Sequence, residues 1–165
     1  EQVIARAPDL LLIAYGLNDM RSGMRVTDFR RELEQLIDRV DAAINAAICL
    51  VNVYYMPVFA RFAPFDQGST ETTRLYNCML QDVADARGLM YADVHSAEAG
   101  LPQVVNYDGV HANKIGNLLI AHRVFEALVR GCPGLARNVC RRDETSRWTR
   151  HMQDLVAAEA TARGT

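Results

Sequence analysis

The segment "DLLLIAY", Asp9 to Tyr15, is a continuous apolar run, too short for a helix of ordinary length and stopped by Gly16. Such a run reads as a buried strand of a parallel sheet, where both faces are covered and polar alternation is lost. A second run, "ICLVNVYY" from Ile48 to Tyr55, is rich in β-branched and aromatic residues and ends before Pro57; "LMYADV", Leu89 to Val94, is a weaker third. The first two are expected to be fully buried.

Helical patterns separate these runs. "TDFRRELEQLIDRVDAAI" repeats Phe29, Leu33, Leu36, Ile37, Val40 and Ile44 at helical spacing, with Thr27 or Asp28 available as N-cap. Thr70 to Arg87 carries Leu75, Met79 and Val83 four residues apart, with Ser69 as cap and Gly88 as stop. A helix from Lys114 to Arg130 is expected to bury Ile115, Leu118, Leu119, Phe125 and Leu128. Alternation of strand and helix predicts an α/β fold built on a parallel sheet. Residues 1–131 form the predicted domain. Residues 132–165 form a tail in which Trp148, Met152, Leu155, Val156 and Glu159 suggest one more amphipathic helix.

Composition narrows the function. The chain has 165 residues, half of them hydrophobic, and a formal net charge of -2. There is no basic patch to attract nucleic acid or an anionic membrane, and no apolar run long enough to span a bilayer. The chain is read as soluble, and its opening at Glu1 within "EQVIARAPD" leaves the compartment open. Cys49, Cys78, Cys132 and Cys140 lack metal-knuckle spacing, so no metal is expected from them. Cys49 and Cys78 are expected to be buried thiols, and Cys132 and Cys140 could pair only in an oxidising compartment.

In an open parallel sheet, ligands bind beyond the carboxyl ends of the strands. One loop there contains "YDGVHANKIG", in which Asp108 and His111 stand three apart. That spacing lets a carboxylate orient an imidazole as a general base. The bland alternative is a plain turn followed by Asn113 as a helix cap. After the first strand comes "YGLND", where Asn18 and the N–H of Gly16 could face a developing oxyanion, one such donor being worth about 3 kcal/mol in other hydrolases. Gly16 and Asp19 would equally suit a tight turn with a local brace.

Taken together, "LLIAYGLNDM" and "YDGVHANKIGNLLIAHRVFEAL" resemble the third and fifth sequence blocks of the SGNH hydrolases, the GDSL esterase and lipase family. The resemblance implies a flavodoxin-like three-layer α/β sandwich, with no cofactor. It makes Asn18 the oxyanion-hole residue, His111 the general base and Asp108 its orienting acid, with Gly16 and Asp19 supporting the turn. It also implies a serine in a G-D-S turn and a second oxyanion glycine, both upstream, and neither is present here; the family's first two strands are absent with them. Ser22 and Ser96 lie near strand ends but outside any strained strand-to-helix turn, so they are read, with Ser69 and Ser146, as loop or capping residues.

In such a sheet "DLLLIAY" would be left as a raw edge. The natural protein is therefore expected to continue upstream, or another chain to supply the missing strands, with self-association through residues 9–15 as one consequence. Phe59 and Phe62 in "YYMPVFARFAPF" are candidates for lining an acyl or sugar pocket, core packing being the equal alternative. His95, His122 and His151 default to packing, capping or surface roles. The reading is hydrolysis of small acyl or O-acetyl esters, including those on carbohydrate, by a serine-histidine-aspartate mechanism in the full-length parent. The alternatives are a non-catalytic binding or assembly subunit and, behind it, a metal-dependent hydrolase using Asp19, Asp108 and His111.

Overall fold

The computed structural model describes residues 2–134 and 147–163. It falls into two compact units, Glu1–Leu128 and Val129–Thr165. In the first, a turn of 3-10 helix at Ile4–Arg6 leads to β1 (Leu10–Ile13), α1 (Leu17–Arg21), α2 (Val26–Ala43), β2 (Ala47–Val51), α3 (Thr70–Arg87), β3 (Met90–Ala92) and α4 (His95–Glu98). A second 3-10 turn at Pro102–Val104 precedes α5 (Lys114–Gly131), and the second unit holds the end of α5 and α6 (Arg147–Arg163). α6 covers the stretch from Trp148 onward where a tail helix is expected, and its described side chains from His151 to Glu159 are exposed. Cys140 and Ser146 lie outside the described residues.

The three strands form a parallel sheet in the order β1-β2-β3, with Leu12 opposite Cys49 and Cys49 opposite Met90. Successive side chains of β2 point to opposite faces and feed two cores. Ile48 and Leu50 join Ile13, Phe29, Leu33, Ile37, Val40, Tyr76, Leu80 and Val83 beneath α2 and α3. Cys49 and Val51 join Ala92 and Val94 under Ile120, Val124, Ala127 and Leu128 of α5. Helices therefore cover both faces of a parallel sheet, which is the α/β architecture expected.

Several local expectations are corrected. β1 is half exposed rather than fully buried, because among the described residues it pairs with β2 alone: Leu10 and Leu12 are 39% and 45% exposed. On α5 the residues that pack are Ile120, Val124, Ala127 and Leu128, whereas Ile115, Leu118 and Phe125 are exposed on another flank. On α3 the buried stripe runs through Thr73, Tyr76, Met79, Leu80, Val83 and Ala84, leaving Leu75 and Cys78 exposed. Residues 76, 79, 80 and 83 keep the 3.6-residue period, which a strict spacing of four drifts away from. α2 starts at Val26, one residue before Thr27, and Asp28 pairs with Arg25 and Arg31 instead of capping. Ser69 does cap α3, accepting the N–H of Thr72 at 3.0 Å, and Gly88 ends it in the left-handed conformation.

Candidate active site

β1 runs through Ala14 and Tyr15 into a turn that only glycine accommodates. Gly16 has φ of 112°, and a β-carbon there would lie 3.2 Å from Val53 Cγ2 and 3.4 Å from both Phe29 and Tyr76. Asp19 Oδ2 accepts the Gly16 N–H at 3.2 Å, so that donor is engaged in the turn and is not directed at a ligand. Asn18, on the exposed side of α1, makes no hydrogen bond through its carboxamide among the described residues. It lines a cavity of about 480 Å³ at the strand ends together with Gly16, Asn52, Tyr54, Asn117 and Ile120.

The loop after α4 brings the second group. Val105 and Ala112 form an antiparallel bridge, and the Asn106 N–H donates to His111 O at 2.7 Å, closing a tight loop around residues 107–110. Gly109 adopts φ of 73°, with the Val58 side chain where a β-carbon would stand. Asp108 Oδ1 accepts the N–H groups of Val110 at 2.9 Å and His111 at 3.0 Å, and Oδ2 lies 2.7 Å from His111 Nδ1. These backbone donors, then the imidazole, lower the Asp108 carboxyl to about 2. An ionised Asp108 can only accept, so Nδ1 carries the proton and Nε2 keeps its lone pair. The His111 side chain is 60% exposed, leaving that nitrogen accessible to a reacting group.

The bland features of this segment are present as well. Asn113 Oδ1 caps α5 by accepting from Ile115 at 2.9 Å and Gly116 at 3.2 Å. Turn and dyad are the same residues, so one reading does not displace the other. Asn117 connects the two loops: it lines the Asn18 cavity, and its Nδ2 donates to Ala112 O at 3.0 Å, next to His111. Tyr54, on the cavity wall, has its phenol pKa raised by burial and by the nearby acidic groups Glu98 and Asp108.

Of the other residues singled out, Phe59 packs against the main core, and Phe62 is 54% exposed on its loop. Ser22 Oγ donates to Asp19 O at 2.8 Å, and the Ser96 N–H donates to Asp93 Oδ1 at 3.1 Å. Both serve local turns. His122 is exposed beside Glu126, and His95 meets Tyr55 edge-on. Among the described residues no three carboxylate, imidazole or thiolate groups converge as a metal site would require, and Asp19 is committed to Gly16.

Three residues escaped the sequence reading. Arg21 and Glu98 are buried at 3% and 0% exposure, and Arg61 reaches the Asp108 turn. For Arg61 the signal was a lone charge inside the apolar loop "YYMPVFARFAPF".

The model of the GDSL-like Lipase/Acylhydrolase family matches residues 1–119. None of the curated proteins compared with the chain matches it. Among solved structures, Axe2, an acetylxylan esterase from Geobacillus stearothermophilus, superposes with a TM-score of 0.62 at 18% identity, over 78% of this chain and 63% of that one. Catalytic mutants of Axe2, in which a serine, an aspartate or a histidine is replaced by alanine, superpose with the same score. LAE5, an alpha/beta hydrolase enzyme from the metagenome of Lake Arreo, Spain, gives a TM-score of 0.60 at 19% identity, over 76% of this chain and 62% of that one. At such identities the likeness establishes the fold, and the chain spans less than two thirds of each of these structures.

Proposed function

The chain belongs to the GDSL-like lipase/acylhydrolase family, and from that premise we propose that it supplies the acid–base pair and one oxyanion donor of a serine esterase. The observation that carries this reading is the 2.7 Å contact between Asp108 Oδ2 and His111 Nδ1, with Nε2 open. In the proposed reaction His111 removes the proton of a serine hydroxyl as it attacks an ester carbonyl. It then protonates the leaving alcohol and, in the second half, activates water against the acyl-serine. Asp108 holds the tautomer and stabilises the imidazolium, while Asn18 donates to the tetrahedral oxyanion. In Axe2 the replaced aspartate and histidine stand three positions apart, the spacing of Asp108 and His111.

The substrate class we infer is a small acyl or O-acetyl ester, in keeping with the acetylxylan esterase among the structural neighbours. No G-D-S turn stands in these 165 residues, so the nucleophile is assigned to a segment outside them, on a strand beside β1.

A fluorophosphonate that captures activated serines tests the assignment on the full polypeptide. The account expects a single adduct on a serine outside residues 1–165, lost with His111→Ala. An adduct on Ser22, Ser69, Ser96 or Ser146 would overturn the placement of the nucleophile. No adduct at all, with ester still bound, would favour a site kept for binding alone.

A further inference from the structure

We propose that Arg61 is a positioning residue for the Asp108–His111 turn, held in place by the buried guanidinium of Arg21, so that the helix carrying Asn18 and the turn carrying His111 are tied through one arginine pair. The inference rests on the reading of Asp108 and His111 as the acid–base pair and adds residues that the family motifs do not contain.

Arg61 lies on the loop between β2 and α3, far in sequence from either motif. Its Nη1 donates to the carbonyls of Tyr107 at 3.3 Å and Asp108 at 3.0 Å. One nitrogen with two hydrogens thus spans two successive carbonyls of the turn, and charged donors make stronger bonds than neutral ones. Because the Asp108 side chain is fixed by backbone N–H groups of its own turn, holding the backbone at 107–108 also holds the carboxylate that orients His111.

What holds Arg61 comes from α1. Arg21 Nη2 donates to Arg61 O at 2.6 Å, and Arg21 O accepts the Gln67 N–H at 2.9 Å, so one residue grips the loop at two points. Arg21 is 3% exposed, and its Nε has no hydrogen-bond partner among the described residues. A buried cation that is only partly satisfied is costly, which makes its remaining bond to Arg61 structurally decisive. Gly68 lets the same loop close on α1, with a β-carbon there lying 2.9 Å from Met20 Sδ and 3.2 Å from Arg21 Cγ. Phe62, next to Arg61, has φ of 64°, a left-handed backbone that an aromatic residue adopts only when its surroundings enforce it. Asn18 and Arg21 share the five residues of α1. Moving Arg21 therefore moves the oxyanion donor, and moving Arg61 moves the base.

The loop keeps a second tie to the turn, Val58 N–H to Gly109 O at 3.1 Å, so replacing the exposed Arg61 leaves the fold intact. The test uses the full polypeptide with Arg61→Ala, Arg61→Lys and His111→Ala. Amide hydrogen exchange at Val110 and His111 should quicken roughly tenfold in Arg61→Ala, as expected for losing charged hydrogen bonds, with α2 and α3 unchanged and Arg61→Lys intermediate. Turnover of nitrophenyl acetate should fall about tenfold in kcat at constant KM. Unchanged exchange at Val110 and His111 would overturn the clamp whatever the activity. Normal kcat in Arg61→Ala, while His111→Ala is inactive, would overturn its catalytic consequence alone. Full activity in His111→Ala would instead sink the acid–base reading, with the exchange data still judging the clamp.

Discussion

Asp108 and His111 are joined twice within one turn: Asp108 Oδ1 accepts the backbone N–H of His111 at 3.0 Å, and Oδ2 meets its Nδ1 at 2.7 Å. The carboxylate is therefore fixed by the residue it orients, and its ionisation is coupled to the fold of the turn.

The coupling has a definite sign. The Asp108 pKa is lowered from 3.8 to about 2, so its stabilising effect is complete above the unfolded value and is lost as pH falls through about 2. Between pH 4 and 9 the aspartate therefore stays ionised and contributes no limb to a pH–rate profile. Asp108→Asn, which favours the wrong tautomer, should lower kcat by about 10⁴. Steady-state rates across that pH range check both statements.

The Asn18 side chain is exposed, and its carboxamide makes no hydrogen bond among the described residues. Asn18→Ala should therefore lower kcat by about 10² to 10³ with little change in KM, and leave the urea midpoint within experimental error. A large loss of stability would mean that the carboxamide is structural.

Glu98 is fully buried, and burial, only partly offset by the nearby Tyr55 backbone N–H, raises its carboxyl to about 7. The folded state then holds the proton more tightly than the unfolded state, so this group's contribution to stability falls as pH rises from about 4.5 towards 7. Glu98→Gln, which mimics the neutral acid, should raise the urea midpoint at pH 8 and leave it nearly unchanged at pH 4. Equal shifts at both pH values would contradict this.

β1 presents Leu10 and Leu12 unpaired on one side, and α5 leaves Leu118 and Phe125 uncovered. Such an edge attracts another strand. The 165 residues alone should self-associate, and Leu12→Lys should reduce that, as sedimentation would reveal. A monodisperse, cooperatively unfolding monomer of the unaltered chain would count against a missing neighbour strand.

How far the sequence speaks for itself depends on the range of the interaction. The strands and long helices followed from periodicity because each buries a stripe of its own residues, as Phe29, Leu33, Ile37 and Val40 do in α2. The Asp108–His111 contact was legible because its two residues stand three positions apart in one turn. Ile115, Leu118 and Phe125, expected to be buried, are exposed, because hydrophobicity does not say which apolar flank finds a partner. Arg21 and Arg61 stand 40 residues apart and meet only once the loop after β2 folds over α1, so no local pattern marks them.

The most direct measurement is nitrophenyl acetate turnover by the full polypeptide with and without His111→Ala. The account predicts a loss on the order of 10⁶ in kcat, as for removal of a triad histidine in a serine hydrolase, with an unaltered fold by circular dichroism. Turnover that survives the substitution would contradict the assignment of His111 as the base.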